Sequence, residues 1–236
     1  YAKERAGNMP TTAGLNCQNY TEIYEPTLAA GKDILMISFS SALSGTHQML
    51  EQARQELLKK YPERSFDVVN TLSISMGAGL IVYYAAKMWK AGATQQEIIK
   101  WVEDNRMRVN HWFSVDDLYH LKRGGRISGA AALMGTMLEL KPILTVNREG
   151  KLIVAEKAKG RKRAIKTLLD KMEENIENPE EQLIVVLHAD APEDAAYLES
   201  RIKEKYNPKE LWVNYVGPVI GTHCGPGTIA VLFMGK

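Results

Sequence analysis

The chain has 236 residues, 45% hydrophobic and 25% charged, enough to bury a sizeable core in one large or two small domains, so disorder is excluded as the default. Thirty basic residues against 28 acidic ones leave a formal charge of +2, which excludes the broad basic face of a nucleic-acid binder and a polybasic membrane anchor. The 2 cysteines, Cys17 and Cys224, stand far apart without metal-ligand spacing, which excludes a disulfide framework and a zinc site and suits a reducing cytoplasm.

In chain order, the first predicted element is Asp33 to Ser38, a short apolar run bounded by Gly31 and a serine cluster, as in a buried strand. A helix follows, with Leu50, Ala53 and Leu57 on one face, Glu51, Arg54, Glu56 and Lys59 on the other, and Pro62 closing it. Phe66 to Thr71 reads as a second strand, and Met76 to Ala91 as an apolar helix buried on most sides and ended by Gly92. Thr94 and Glu97 form a capping-box pattern that opens an amphipathic helix carrying Ile98, Trp101 and Val102 toward Val109. Strand and helix alternate throughout this half, which favours a parallel sheet with crossover helices and ligand crevices at the carboxyl ends of its strands.

The second half changes rhythm. Short helices are predicted over Ser114 to Lys122, ended at Gly124, and over Ala130 to Leu138, before a strand from Lys141 to Val146. The segment NREGK turns the chain into Leu152 to Ala158, and a long helix then lines up Ile165, Leu168, Leu169, Met172 and Ile176. A strand from Leu183 to His188, a helix from Glu193 to Tyr206 and two strands near Leu211 to Tyr215 and Thr228 to Met234 complete the pattern, with a Gly/Pro loop between the last two. The expected architecture is therefore α/β, with a parallel-sheet domain over residues 1–112 and an α+β domain with a mixed sheet over residues 113–236. No apolar run approaches the roughly 18 residues of a membrane span, and no basic-then-apolar leader opens the sequence, so a cytoplasmic protein is expected.

Chemistry concentrates in SFSSALSGT, LKRGGRI and GPVIGTHCGPGT. The first joins a strand end to a helix start, where unpaired backbone N–H groups and serine hydroxyls can hold an anion without a lysine; Ser44 either caps the helix or points outward. In the second, Arg126 offers a permanent charge and a planar fork for a carboxylate or phosphate, or makes a surface salt bridge. In the third, His223 can donate to a carboxylate or relay a proton, or it is structural. Cys224 is read as packing, because neighbours in an extended chain point to opposite sides. The apolar helix offers Leu80, Ile81, Tyr84 and Met88 as lining for a ligand, or as ordinary core.

These three segments in this order, with NTLSISMGAGL at Asn70 to Leu80 and KPIL at Lys141 to Leu144, resemble the DegV family over almost the whole chain. The resemblance implies a bacterial two-domain α/β carrier that buries a long-chain fatty acid, holds its carboxylate by hydroxyls, and in some members presents it to a fatty acid kinase for ATP-dependent phosphorylation toward phospholipid synthesis. Carried over by position, Ser44 and Thr12 bind the carboxylate, with Thr11 as substitute because MPTTAGLN departs from the family's TSQPS, and Arg126 and His223 lie near the head group or the kinase docking surface. No cofactor and no nucleic acid are implied; transient contact with a membrane surface would serve lipid exchange. Family members open with a strand carrying a TDSTAD-like segment, which this sequence, starting at YAKERAGN, does not show; without it the first sheet would lose a central member and expose apolar surface, so the full protein is expected to supply that strand elsewhere. Other readings are a hydrolase using Ser44, His223 and Asp116, disfavoured by the missing GxSxG elbow, and a lipid-sensing regulator.

Overall fold

The computed structural model describes residues 1–127 and 139–236, so the helix expected over Ala130 to Leu138 falls outside the described residues. Two sheets organise the chain. The first pairs β1 (Ile34–Ser38) in parallel with β2 (Phe66–Asn70), in register from Ile34 opposite Phe66 to Ser38 opposite Asn70. After a four-residue helix α1 (Ala2–Arg5), helix α2 (Cys17–Ala29) packs with α3 (Thr46–Lys60) on this sheet. Leu28, Leu57 and Phe66 are buried between these elements, as are Tyr20, Leu50 and Ala53, each worth about 1.5–3 kcal/mol for a large apolar side chain. Sequence reasoning had no element at α2. Its cap is an Asn16–Asn19 box, it contains Pro26, and it buries only Tyr20 and Leu28, so no strong apolar stripe announces it.

Helix α4 (Ser75–Lys90) crosses toward the second sheet and buries Gly77, Leu80, Ile81 and Ala85. It is less enclosed than its composition suggests, for Val82 and Trp89 are 44% and 70% exposed. Helix α5 (Gln95–Asn105) has the expected capping box, with the Thr94 side chain accepting from the Glu97 amide and Glu97 returning a bond to the Thr94 amide.

The second sheet has six strands in the order β5-β4-β3-β8-β6-β7: β3 (Val109–Ser114), β4 (Leu140–Val146), β5 (Leu152–Lys159), β6 (Leu183–His188), β7 (Glu210–Tyr215) and β8 (Ile229–Met234). Only β6 and β7 run parallel; the other pairings are antiparallel, so the sheet is mixed as expected. One face buries Val185, Leu187, Ala230 and Leu232 toward α4 and α5; the other buries Ile184, Val186, Val231 and Phe233 under α7 (Arg161–Asn175) and α8 (Pro192–Tyr206). This is the period-two alternation of a sheet covered on both sides.

Two expectations need correction here. Ser114 does not cap a helix: it ends β3, an element the sequence reading overlooked, and the short helix α6 (Tyr119–Arg123) starts five residues later. The buried His111 sits at a core position of β3, where a sequence reader looks for an aliphatic residue. Trp112 accordingly falls inside β3, and the six-stranded sheet takes up the chain from Val109. The Gly/Pro loop before the last strand is also partly helical, as α9 (Pro218–Cys224).

Candidate functional site

At the end of β1, Ser38 is wholly buried; its hydroxyl donates to the Val69 carbonyl at 3.1 Å and lies 2.8 Å from His47 Nδ1. Ser40 donates to the Gly150 carbonyl at 2.8 Å, tying this loop to the turn between β4 and β5 and so joining the two sheets. Ser41 accepts from Asn70 Nδ2 at 2.7 Å. Three serines of the cluster are thus committed to local structure. Ser44 differs: its Oγ accepts from the Thr46 amide at 3.3 Å and lies 2.9 Å from Thr46 Oγ1, while facing a cavity at the start of α3. Gly45, not Ser44, is the N-cap of α3, and no side chain caps that helix; the Ser44 hydroxyl bonds locally to Thr46 and at the same time borders the cavity.

The other two motifs interlock. A Cβ on Gly124 would sit 2.3 Å from His223 Nδ1, and one on Gly225 would sit 2.5 Å from the ring of His120, the residue just before LKRGGRI, so a glycine of each segment makes room for a histidine of the other or beside it. Gly225 also has φ +74°, a backbone state that side chains other than glycine rarely adopt. His223 is therefore not in a flexible loop; it closes the last turn of α9, with Nε2 2.9 Å from Thr12 Oγ1. Burial first, and then the Arg126 and Arg123 guanidiniums, lower its pKa from the ordinary histidine value, so the ring is neutral at pH 7. Arg126 donates from Nε to the Leu43 carbonyl at 3.2 Å and from Nη1 to the Gly124 carbonyl, which lays its charge along the Ser44 loop.

Thr12, Ser44, Arg126 and His223 all line one cavity of about 580 Å³, a size typical of small-molecule sites. Its remaining wall is largely apolar and comes from widely separated elements, including Tyr20 of α2, Met49 of α3, Phe113 of β3 and Leu152 of β5. Thr46 also lines it and was not singled out from the sequence, although it ends the SSALSGT motif. Of the two readings of the α4 residues, ordinary core is the one observed: Leu80 and Ile81 are wholly buried in the core, the Tyr84 hydroxyl accepts from the Leu183 amide at 3.2 Å, and neither they nor Met88 line the cavity.

A hydrolytic relay is not assembled. His223 meets Thr12 rather than Ser44, and Asp116 lies 3.2 Å from Lys141 Nζ and 3.6 Å from Arg161 Nη1 instead of orienting the imidazole. Cys224 borders the cavity but is 7% exposed, and burial pushes its thiol up to about 11, so it is uncharged and unreactive at pH 7. Its inertness follows from burial in a helix, not from the extended geometry assumed from the sequence. Among the described residues no group of three or more His, Cys, Asp or Glu is arranged to hold a metal ion, and no helix is long and apolar enough to cross a membrane.

A family model described as an uncharacterised protein of the DegV family matches residues 1–236. The chain belongs to the DegV family. A DegV domain-containing protein of Clostridium perfringens is 48% identical over 235 residues, covering 100% of this chain and 81% of the relative. A DegV family protein from Thermus thermophilus, solved as a study of fatty acid binding, is 32% identical with a TM-score of 0.89 over 100% of this chain and 82% of that one. DegV of Bacillus subtilis, a fatty acid binding protein, is 30% identical with a TM-score of 0.84, covering 99% of this chain and 81% of that one. The DegV fold expected from the motifs, α/β with a parallel sheet followed by a mixed one, is the fold observed.

Proposed function

We propose that this DegV protein binds a long-chain fatty acid in the cavity at the start of α3, with the carboxylate at the Ser44, Thr46, Thr12, His223 and Arg126 end and the acyl chain along the apolar wall. The observation that carries the reading is the convergence of neutral hydroxyl donors, a helix N-terminus and a guanidinium at one end of an otherwise apolar cavity. The likeness to the Thermus and Bacillus proteins supports it. Each buried methylene contributes about 0.8 kcal/mol, so a long tail supplies most of the affinity and the head group needs only orienting donors. His223, neutral and carrying its proton on Nε2, would donate to Thr12 Oγ1 and free the threonine proton for the carboxylate. The finer reading, which rests on the family resemblance, is that the chain is a carrier without turnover of its own and presents the carboxylate to a fatty acid kinase partner.

Native mass spectrometry of protein purified from its host, followed by denaturing extraction, should release a fatty acid in about stoichiometric amount. Ser44→Ala should weaken retention by roughly 1.5–3 kcal/mol, about 10- to 150-fold, the worth of a hydrogen bond to a charged acceptor. Lipid-free native protein, or undiminished retention by Ser44→Ala, would refute the assignment.

A further inference from the structure

Residues 8–16 form neither helix nor strand, and Met9 and Leu15 in this stretch are 53% and 47% exposed. Yet the stretch delivers Thr12, Ala13, Gly14 and Leu15 to the cavity wall. An irregular exposed segment has no ladder to fix its position, so its placement depends on the few bonds it makes to the body of the protein. Its ends are held locally, by Asn8 bonding to the Lys3 carbonyl and by the Asn16–Asn19 cap box; across the middle, besides the Thr12–His223 bond, the contacts come from α6. Arg123 Nη1 donates to the Pro10 carbonyl at 2.9 Å, and the Tyr119 hydroxyl lies 3.6 Å from Met9 Sδ.

The same Arg123 guanidinium reaches the other way, Nη2 donating to the Thr222 carbonyl at 3.3 Å. Pro10 lies two residues before Thr12, and Thr222 immediately precedes His223. One rigid fork therefore spans the two segments whose side chains meet at 2.9 Å in the cavity. Among the described residues Arg123 has no carboxylate partner within salt-bridge distance, and its Nε is buried without a hydrogen bond. A guanidinium held partly out of water without a counter-ion is poor design for stability alone, and its two formed bonds both go to backbone beside the candidate head-group site.

We propose that Arg123 is the positioning residue of this site: it staples the 8–16 segment to α9 so that Thr12 and His223 stay in register for a carboxylate. Its role in lipid retention rests on the fatty-acid reading above; its role in holding the Thr12–His223 bond does not. Lysine cannot replace it fully, because an ammonium keeps the charge but lacks the planar fork that satisfies two carbonyls on different segments.

The test uses the whole chain as Arg123→Met and Arg123→Lys. Long-range proton–nitrogen correlation spectra report the His223 ring, with the core residue His111 as an internal measure of folding, and stopped-flow release of cis-parinaric acid, a fluorescent long-chain fatty acid, reports retention. Arg123→Met should shift the His223 Nε2 resonance while His111 stays in place, and should speed release about tenfold, the effect of losing one well-placed hydrogen bond. Arg123→Lys should fall between wild type and Arg123→Met in both readouts. An unmoved His223 resonance in Arg123→Met overturns the proposal, and so does complete restoration by lysine, which would leave charge as the whole effect. If the His223 resonance moves as expected but wild-type protein takes up no cis-parinaric acid, the staple stands and the fatty-acid reading falls.

Discussion

At the seam between α4 and β3 the His111 ring rests on Gly77, where a Cβ would come within 2.0 Å of Nε2; at the seam between α6 and α9 the His223 ring rests on Gly124, where a Cβ would come within 2.3 Å of Nδ1. The packing device is the same, and the surroundings set the two apart. His111 is 3% exposed, its Nε2 lies 3.4 Å from the Ile74 amide, and burial pushes its pKa down to about 4. His223 has a side-chain partner on an irregular segment, two guanidiniums nearby and a cavity beside it. A histidine seated on a glycine is thus no sign of function by itself. What sets His223 apart is a hydroxyl partner on an irregular segment and an adjoining cavity, the two features on which the proposed fatty-acid reading rests.

The contrast can be broken most forcefully with acid. A histidine whose folded pKa lies below its unfolded value of about 6.5 binds fewer protons when folded, so the stability it contributes is in place above that pH and is lost as pH falls toward the folded value. For His111 that window runs from about 6.5 down to about 4, and the unfolding free energy from urea titrations across it should fall by on the order of 3 kcal/mol, with His223 and His188 adding in the same direction. His111→Gln should remove most of the slope; a slope left intact would mean the buried ring is not its source. Next in size, Gly77→Ala should destabilise by roughly 1–3 kcal/mol through overpacking, without altering lipid release from the molecules that remain folded. Smallest in stability is Gly124→Ala, since the displaced His223 ring can move toward the cavity; here urea midpoints should change less than in Gly77→Ala while cis-parinaric acid release quickens several-fold. Equal loss of stability in both alanine variants would erase the distinction between the two seams.

Most of the regular elements were legible because their patterns are local. The Leu50, Ala53 and Leu57 stripe, the Thr94–Glu97 box and the alternating faces of the second sheet each follow from a short stretch of sequence. The elements that were overlooked or misread depend on distant partners. β3 carries His111 where the core tolerates it only because Gly77 of α4 makes room, and α9 contains Gly221 because the Tyr1 hydroxyl lies against it, 2.3 Å from where a Cβ would be. The site shows the same division. Thr12, Ser44, Arg126 and His223, named from the motifs, all border one cavity, whereas Thr46 and the apolar lining were not foreseen, since the lining is gathered from elements across the whole chain and no local pattern marks it.

Strand β8 has consequences beyond its place in the core. It alone among the described strands hydrogen-bonds to both β3 and β6, and all six of its residues are buried. A nascent chain that has left the ribosome only as far as Gly227 would carry two half-sheets with open edges facing each other across a gap. Until β8 emerges and supplies the missing rung, those edges are available to any other extended peptide, so the interval before β8 is made is when this sheet is most at risk of mispairing.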